Sequence, residues 1–186
     1  MPLPDWMCTT LASDGAGGQG ALPYWIHALS PKATVVGPAL VVSVTRDDNS
    51  PMRDVPRRLP QPGTVLVVAG AAESRTAVLG DLVAHELMGV GVIAVVTDGL
   101  IRDSRAVADL GLPVWARGTT PVASHKEGTG SVGGSVELGG VTISDGDLVI
   151  ADADGVVVWP AASVSSYLQR ADEKRLADEK RAAGGN

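Results

Sequence analysis

Three charged residues are the candidates for chemistry in this sequence: Asp81, Arg102 and Asp103. Twenty residues separate Asp81 from Arg102, and they hold a run with apolar residues at helical spacing followed by the apolar run VIAVVT. A helix of about nine residues descends ~13 Å and a strand of about six residues climbs back ~20 Å, so the chain returns to the edge from which it started. The spacing therefore predicts that the two carboxylates lie close together, with a guanidinium beside them.

The predicted edge holds the carboxyl ends of parallel strands, where open α/β sheets usually bind their ligands. Asp81 begins the predicted helix, so the backbone N–H groups of Leu82 and Val83 are available to an anion such as a substrate carboxylate. Gly80 lets that anion approach the backbone closely. These positions predict an anion site next to the charged residues.

A structural interpretation of the same residues stays open from the sequence alone. Asp81 would then be only a helix cap, worth about 1 kcal/mol, and Arg102 with Asp103 only an ion pair that ties the loop. His85, one turn into the helix, is predicted to be a surface or interface residue, and Asp98 to form a turn after a strand. The combined spacing of the three charged residues favours a ligand site over the structural interpretation.

The elements that must position these residues form a regular pattern from Pro62 onward. Strand-like and helix-like runs alternate there: TVLVVA (64–69), DLVAHELMG (81–89), VIAVVT (92–97), SRAVADLG (104–111) and LPVWAR (112–117). This order predicts a βαβαβ unit with a parallel sheet. Further along, SDGD and DADG are typical of antiparallel hairpins.

The remaining segments give weaker signals. The run ATVVGPALVVSVT predicts two strands with a turn at Gly37 and Pro38. The charged and proline-rich stretch RDDNSPMRDVPRRLPQPG is predicted to be an exposed connection. GTGSVGGS is predicted to be a flexible loop, because it lacks the lysine and the strand-to-helix context of a phosphate-binding loop.

Length and composition indicate one folded domain. The chain has 186 residues, of which 45% are hydrophobic and 19% charged, which is too apolar for a disordered protein. We place the domain at residues 1–165 and a charged C-terminal helix at residues 166–186, where ADEKR occurs twice. Opposite charges at helical spacing in this repeat predict a solvated helix.

Charge and cysteine content exclude several classes of protein. The net charge is −6 and no basic stripe is present, which argues against nucleic-acid binding. Cys8 is the only cysteine, so no intrachain disulfide and no Cys-rich zinc site can form. No basic leader with an apolar core and no apolar run of about 20 residues is present, which predicts a cytoplasmic protein without a membrane anchor.

The order Gly80-Asp81-Leu82-Val83, twenty residues and then Arg102-Asp103 resembles the D-x20-R-D signature of the RraA-like family, which includes metal-dependent 4-hydroxy-4-methyl-2-oxoglutarate aldolases. Further matching segments are VTDGLIRD, GLPVWARGTTP and GGVTISDGDLVIADADGVVVWP. The resemblance covers about residues 62–160. It implies a compact α/β/β sandwich of the phosphohistidine-swivelling type, assembled as a homotrimer or hexamer with sites near the subunit boundaries.

The resemblance also implies roles for individual residues. Asp103 would bind a divalent cation, Mg²⁺ or Mn²⁺, directly, and Asp81 would bind it through water. The residues that would contact a 2-oxo acid are Gly80, Asp81, Leu82, Val83 and Arg102. An acidic residue from the C-terminal region of a neighbouring subunit, Glu173 or alternatively Asp172, would reach the waters on the metal.

The implied activity is that of a class II pyruvate aldolase, a carbon–carbon lyase. Cleavage of a 4-hydroxy-2-oxo acid would give pyruvate through an enolate stabilised by the metal and Arg102, after water held by Asp81 removes the C4 hydroxyl proton. Oxaloacetate would give the same enolate on losing carbon dioxide, so a decarboxylase side activity is expected. The alternative is a non-enzymatic regulator, like the family member that inhibits an RNA-degrading endonuclease. Retention of all three charged residues favours the enzyme.

Overall fold

A computed structural model of the chain describes residues 3–29, 34–58 and 61–184. The parts of the predicted segments at residues 1–2, 30–33, 59–60 and 185–186 lie outside these ranges. The helices are α1 (Thr9–Ala16), α2 (Val55–Arg58), α3 (Asp81–Gly89), α4 (Ser104–Leu110) and α5 (Val164–Ala183), with 3-10 turns at Ser50–Asp54 and Ala161–Ser163. The strands are β1 (His27–Ala28), β2 (Val35–Ser43), β3 (Thr64–Ala69), β4 (Ala77–Leu79), β5 (Val92–Thr97), β6 (Leu100–Ile101), β7 (Val114–Ala116), β8 (Gly118–Thr119), β9 (Ser131–Val132), β10 (Ser135–Leu138), β11 (Val141–Ser144), β12 (Leu148–Asp152) and β13 (Gly155–Trp159).

The main sheet is built around the βαβαβ unit that the sequence predicts. Strands β3, β5 and β7 pair in parallel, and α3 and α4 lie in the two connections between them. The full order is β1-β7-β5-β3-β2-β12-β13, with β9 paired to β2. Because β1 at one edge contacts β13 at the other, the sheet nearly closes into a barrel.

Strand β2 continues through Gly37 and Pro38, so the prediction of a turn there was wrong. Residues from Val35 to Pro38 pair antiparallel with β12, and residues from Ala39 onward pair in parallel with β3. Proline has no N–H group to donate, and Pro38 lies where the strand changes its partner. One strand therefore joins the parallel and antiparallel parts of the sheet.

Two buried clusters lie on opposite faces of the main sheet. On one face, Ala84 and Leu87 of α3 and Val107 of α4 pack with Leu66 and Val95. On the other face, the hairpin β10–β11 packs against the sheet, together with residues of β12 and β13 that the near closure of the same sheet turns toward this cluster. The second cluster includes Val65, Val67, Trp115, Leu138 and Ile143. All six residues of β3 are buried, which explains its continuous apolar run. The architecture is the α/β/β sandwich that the resemblance implies.

The two terminal helices pack against each other on the outside of β12 and β13. A side chain at Gly15 of α1 would stand 2.5 Å from the carbonyl oxygen of Tyr167, so the two backbones approach closely. Ala171 of α5 is buried in this contact. The sequence analysis predicted a solvated helix, but the first half of α5 is packed, and it begins at Val164, just before the predicted boundary.

Two segments predicted to be loops are more ordered than expected. Residues 128–135 were predicted to be flexible, yet β9 within them pairs with β2, and the Ser131 N–H donates to Ser43 Oγ at 3.0 Å. In the predicted exposed connection, Asp48, Met52 and other residues are buried. Composition did not indicate this burial, because the few buried residues are interspersed with charged ones.

A second, small sheet was not predicted by the sequence analysis. Strands β4, β6 and β8 pair in parallel, and each has only two or three residues. β4 leads directly to α3, and β6 leads to α4. Runs this short carry no periodic signal in the sequence. This sheet positions the candidate site. None of the helices in the described ranges is both long and apolar enough to cross a membrane.

Candidate active site

The candidate site lies at the carboxyl edge of the small sheet β4-β6-β8. Leu79 ends β4 and is followed by Gly80 and Asp81, and β6 is followed by Arg102 and Asp103. The Arg102 N–H donates to the Leu79 carbonyl oxygen at 3.0 Å and so joins the two strand ends. The sequence analysis had assigned this edge to β5 in the main sheet. The small sheet, and not β5, brings the candidate residues together.

Gly80 lies directly against the Arg102 and Asp103 side chains. A Cβ atom at Gly80 would stand 2.5 Å from Asp103 Oδ2 and 2.9 Å from Arg102 Nε. The φ angle of Gly80 is −133°, which any residue adopts, so glycine is required here for space and not for conformation. Gly80 was predicted to let a ligand approach the backbone closely. The structure shows that Gly80 also lets the side chains of Arg102 and Asp103 approach the backbone closely.

Arg102 and Asp103 form a partly exposed ion pair. Arg102 Nε lies 3.2 Å from Asp103 Oδ2, and the two side chains are 38% and 39% exposed. Asp103 has a φ angle of 53°, in the left-handed region that non-glycine residues seldom occupy. It precedes α4, but its side chain makes no cap hydrogen bond within the described residues. Its carboxylate thus pairs with Arg102 and does not cap the helix, and Asp103 lines the larger of the two cavities at the site.

Asp81 is the first residue of α3, and Gly80 is the N-cap. Gly80 has no side chain that could form a cap hydrogen bond, and Asp81 lies one residue past the N-cap position that the structural interpretation gave it. Instead, Asp81 Oδ1 accepts a 2.8 Å hydrogen bond from the Leu82 N–H. One of the two amides predicted to bind an anion is thus already bound to a carboxylate. An incoming anion would have to displace Asp81 from it.

Two cavities meet at Asp81 and Arg102, which line both. The larger, of about 660 Å³, is also lined by Asp103, Arg105 and Thr120. The smaller has a volume of about 120 Å³. Its other lining residues include Gly80, Leu82, Val83, Asn49, Ser124 and Lys126. Since the larger cavity is lined by Asp81, Arg102 and Asp103 together, the predicted juxtaposition of these three charged residues is present in the fold.

The C-terminal acidic residues are not part of this arrangement within one chain. Glu173 lies on α5 and accepts a 3.0 Å hydrogen bond from Gln169. Asp172 accepts hydrogen bonds from Arg175 at 2.7 and 2.9 Å. Neither residue lines the two site cavities. A contribution of Glu173 to the site of a neighbouring subunit stays a prediction.

Three polar residues of the smaller cavity, Asn49, Ser124 and Lys126, are not predicted from the sequence. Asn49 Nδ2 donates to the Val78 carbonyl oxygen at 2.9 Å, and Ser124 Oγ donates to the Ala77 carbonyl oxygen at 2.8 Å. Both residues therefore attach their loops to β4. No local pattern marks them, because they come from two loops distant in sequence and only the fold joins them.

A buried aspartate holds these loops in place. Asp48 is 5% exposed and accepts hydrogen bonds of 2.7 Å from each of the N–H groups of Ser50, Glu127 and Gly128. Burial alone would raise the pKa of Asp48, but the hydrogen bonds from these residues outweigh it and lower the pKa to about 2. The neighbouring Asp47 accepts a 2.7 Å hydrogen bond from the Arg75 N–H, which lowers the pKa of Asp47.

Asp98, predicted to have a structural role, and His85, predicted to lie at the surface, occupy positions that agree with these predictions. Asp98 is buried and accepts hydrogen bonds from the Gly70 and Ala71 N–H groups at 3.0 and 2.9 Å, so it joins the ends of β3 and β5. Burial raises the pKa of Asp98. His85 is exposed on α3. Neither residue lines the cavities of the candidate site.

The oxygen ligands of the site suit one kind of metal ion. Within the described ranges, no group of three or more His, Cys, Asp or Glu side chains could hold a metal. The site offers the carboxylates of Asp103 and Asp81 at the wall of an open cavity. Mg²⁺ and Mn²⁺ accept one or two carboxylates and retain several waters, whereas a structural zinc site needs four protein ligands. The residues present therefore fit a hydrated hard cation.

Comparison with known proteins identifies relatives of this chain. A family model described as RraA-like (Aldolase/RraA) matches residues 9–158. A protein of Halalkalibacterium halodurans named "Putative 4-hydroxy-4-methyl-2-oxoglutarate aldolase" is 38% identical over 173 residues, which are 93% of this chain and 82% of the relative.

Solved structures agree with this assignment. RraAS2 of Streptomyces coelicolor, described as an unusual member of the RNase ES inhibitor RraA protein family, superposes with a TM-score of 0.79 and 31% identity over 95% of this chain and 90% of its own. A Geobacillus kaustophilus protein described as an S-adenosylmethionine:2-dimethylmenaquinone methyltransferase gives a TM-score of 0.73 and 38% identity over 82% and 94%. The names of these relatives differ in activity, but the family model covers most of this chain. This chain belongs to the RraA-like family.

Proposed function

We propose that this protein is a divalent-metal-dependent lyase that cleaves a 4-hydroxy-2-oxo acid, such as 4-hydroxy-4-methyl-2-oxoglutarate, to pyruvate. The observation that carries the proposal is that Asp81, Arg102 and Asp103 line one cavity at the end of the small sheet. The H. halodurans relative named as an aldolase supports the same class of reaction. The other two relatives are named for different activities, so their names do not indicate which reaction this chain catalyses. The choice of a lyase therefore depends on the geometry of the site.

The start of α3 would bind the carboxylate of the 2-oxo acid. The first N–H groups of a helix have no partner within the helix and favour an anion. Leu82 and Val83 provide two such groups, and both residues line the smaller cavity. A substrate carboxylate that takes the Leu82 N–H would release Asp81, which accepts that hydrogen bond without substrate. Substrate binding would thus make the Asp81 carboxylate available for chemistry.

Asp103 would hold the metal directly, and Asp81 would hold it through water. When bound, Mg²⁺ or Mn²⁺ supplies positive charge that polarises the keto group of the substrate. The Arg102 guanidinium, 38% exposed at the same cavity, would share the negative charge that develops on the keto oxygen. Its ion pair with Asp103 keeps that guanidinium at the cavity wall.

Asp81 would assist the proton transfer of the cleavage reaction. A water positioned by Asp81 would accept the C4 hydroxyl proton as the C3–C4 bond breaks. The electrons of that bond form a C2–C3 double bond as the keto oxygen takes up negative charge, and C4 leaves as a carbonyl carbon. Return of the proton from the water to C3 would then give pyruvate. Lys126, on the smaller cavity, would bind a second carboxylate of the substrate. Oxaloacetate would lose carbon dioxide at the same site, since this reaction develops the same charge on the keto oxygen.

The test follows pyruvate release. We expect pyruvate from 4-hydroxy-4-methyl-2-oxoglutarate and from oxaloacetate when Mg²⁺ or Mn²⁺ is added. After a chelator is added, or in the Asp103→Ala variant, release should fall to the rate of a protein-free sample of the same composition. The loss of activity in Asp103→Ala supports the proposal only if this variant unfolds at the same midpoint as the unaltered chain. Equal turnover with chelator would contradict the metal-dependent proposal.

The second candidate function is inhibition of an RNA-degrading endonuclease. The likeness to S. coelicolor RraAS2, from an RNase ES inhibitor family, favours it. The discriminating measurement is cleavage of a labelled RNA by an RNase E-type endonuclease in the presence of this protein. Inhibition that persists in Asp103→Ala, together with no pyruvate release from the unaltered chain, would replace the lyase proposal.

We also propose assembly as a homotrimer or hexamer, with Glu173 of one subunit close to the metal waters of another. Leu82 is 71% exposed beside the site, an apolar surface that a neighbouring subunit would cover. Light scattering measures the mass in solution, and a monomer at all concentrations would contradict this assembly. A location in the cytoplasm stays a prediction from the sequence.

A further inference from the structure

We propose that a basic groove beside the candidate active site binds a small molecule that carries two or more clustered oxyanion groups. The groove lies between residues 50–58 and residues 126–132. Its volume is about 660 Å³, within the range of about 300–1,000 Å³ that is usual for small-molecule sites. The cationic residues that line it are Arg53, Arg57, Arg58 and Lys126.

The charge of the groove differs in sign from that of the chain. The chain carries a net charge of −6, whereas the groove gathers four cations and two carboxylates, Asp54 and Glu127. Asp54 pairs with Arg57 at 3.0 Å, but these side chains are 52% and 81% exposed, so this pair is weak. Within the described residues, the other three cations form no ion pair, although Arg46, Arg102, Lys174 and Arg175 elsewhere do. These three cationic side chains are therefore available to bind an anion.

The two walls of the groove are joined by hydrogen bonds, so the walls and the Arg53 guanidinium are held in place before any ligand binds. Ser50 Oγ donates to the Gly128 carbonyl oxygen at 2.9 Å. Arg53 Nη2 donates to the Lys126 carbonyl oxygen at 2.7 Å. Beneath them, Asp48 accepts two backbone N–H groups of the second wall. A preformed site loses less entropy on binding than one that must be ordered by its ligand.

Glycines make room for this groove. A side chain at Gly128 would stand 2.5 Å from Thr45 Oγ1, and one at Gly130 would stand 2.1 Å from the Ser43 carbonyl oxygen. The backbone of this wall therefore lies directly on the end of β2. Thr129 is among the hydroxyl residues that line the open side. The segment GTGSVGGS thus forms one wall of a cavity, a role that its sequence did not indicate.

The chemistry of the groove defines the class of ligand. Guanidinium groups donate paired hydrogen bonds to carboxylates and phosphates, and several together favour a ligand with more than one negative charge. A long nucleic acid would meet the acidic surface of the rest of the chain and is disfavoured. Phosphorylated metabolites and polycarboxylates share the required chemistry, and the experiment below separates them.

The groove meets the smaller cavity of the candidate active site at Lys126, which lines both. The proposal goes beyond the proposed function and does not depend on it: Lys126 is shared, but the groove contains none of Asp81, Arg102 and Asp103, and its other three cations have no role in the proposed reaction. Binding can therefore be measured whether or not the protein proves to be a lyase.

The experiment is isothermal titration of the full chain in metal-free buffer of low ionic strength. The probes are inorganic pyrophosphate and citrate, with acetate as a singly charged comparison. We expect at least one probe to bind more tightly than acetate, and the Kd to rise by about tenfold or more in Arg58→Gln, which loses one charged hydrogen-bond donor. Tighter binding of pyrophosphate assigns the phosphorylated class, and tighter binding of citrate assigns the polycarboxylates.

Two controls separate a site from general charge attraction and from the active site. Arg181→Gln removes the same charge from the exposed end of α5, away from the groove, and should bind the probes like the unaltered chain. Asp103→Asn should also bind them normally, since Asp103 does not line the groove. Arg53→Gln provides a second groove variant, and thermal unfolding verifies that each variant is folded.

Three results would overturn the proposal. The first is equal binding of the probes by Arg58→Gln and Arg53→Gln, both folded, and by the unaltered chain. The second is an equal loss of binding in Arg181→Gln, which would indicate general charge attraction only. The third is tighter binding of a single-stranded oligonucleotide than of either probe, which would indicate a nucleic-acid surface.

Discussion

The Gly80 backbone lies so close to the Asp103 carboxylate that a Cβ atom at Gly80 would stand 2.5 Å from Asp103 Oδ2. These residues follow the ends of β4 and β6, so the contact joins the two strands at the point where the candidate site begins. An addition as small as a methyl group would have to move either the carboxylate or the start of α3. The contact thus makes the position of Asp103 sensitive to a change at Gly80.

Gly80→Ala is expected to lower the proposed lyase activity by about 100-fold, because displacement of a positioned group by about 1 Å has an effect of that order. Pyruvate release with saturating Mg²⁺ is the measurement. The matched control is Gly89→Ala, at the end of the same helix, where a side chain would meet no atom within 4 Å. Similar activity in the two variants would show that the contact does not position the site.

Asp81→Asn is expected to separate the two proposed reactions. Cleavage of a 4-hydroxy-2-oxo acid needs removal of the C4 hydroxyl proton and should fall by about 10²- to 10⁴-fold. Decarboxylation of oxaloacetate needs no such proton transfer and should fall much less. Both rates are measured on one protein preparation as pyruvate formed. An equal loss of both activities would mean that Asp81 acts on the metal or the fold and not on the proton.

Arg102→Lys keeps a positive charge but replaces the planar guanidinium with a compact ammonium group. Since the guanidinium is proposed to share the charge on the keto oxygen, kcat should fall by about 10- to 1,000-fold for both substrates. Arg105→Lys, in the same cavity, is the comparison and should retain most of the activity. Unchanged kcat in Arg102→Lys would remove Arg102 from the charge-sharing role.

Asp48→Asn is expected to destabilise the fold at neutral pH. The folded pKa of Asp48 is about 2, below its unfolded value of 3.8, so its ionised form stabilises the fold. This contribution is present above about pH 4, is lost as the pH falls through about 2, and amounts to the order of 2 kcal/mol. Urea unfolding at several pH values measures it.

The same experiment contains its control. The variant should lose stability at pH 7 and show a flatter decline between about pH 4 and 2 than the unaltered chain. Asp54→Asn, at an exposed carboxylate, should change the free energy of unfolding by about 0.5 kcal/mol or less. If Asp48→Asn has no larger effect than Asp54→Asn, the hydrogen bonds of Asp48 do not stabilise the fold.

The main sheet could be predicted from sequence because its central strands are six-residue runs that are almost entirely apolar. TVLVVA and VIAVVT alternate with helices of ordinary length, and the structure confirms both as parallel strands. The return of the chain to one edge placed Asp81 and Asp103 together correctly, although the responsible strand was misidentified. The small sheet was missed since strands of two or three residues have no period to detect.

Features that depend on contacts distant in sequence could not be predicted. Asp48 belongs to a charged stretch that composition places on the surface, yet partners about eighty residues away along the chain make its burial possible. Asn49 and Lys126 join the site for the same reason. The hydrogen bond between Asp81 and the Leu82 N–H needs side-chain coordinates, because the sequence shows only that both groups are available.

The packing of α1 against α5 has a consequence for synthesis of the chain. Ala12 of α1 leaves the ribosome more than 150 residues before Ala171 of α5, which helps to bury it. Until then the nascent domain exposes an apolar surface on which chaperones can bind. Removal of residues after position 165 would make that exposure permanent, so such a shortened chain should aggregate on expression.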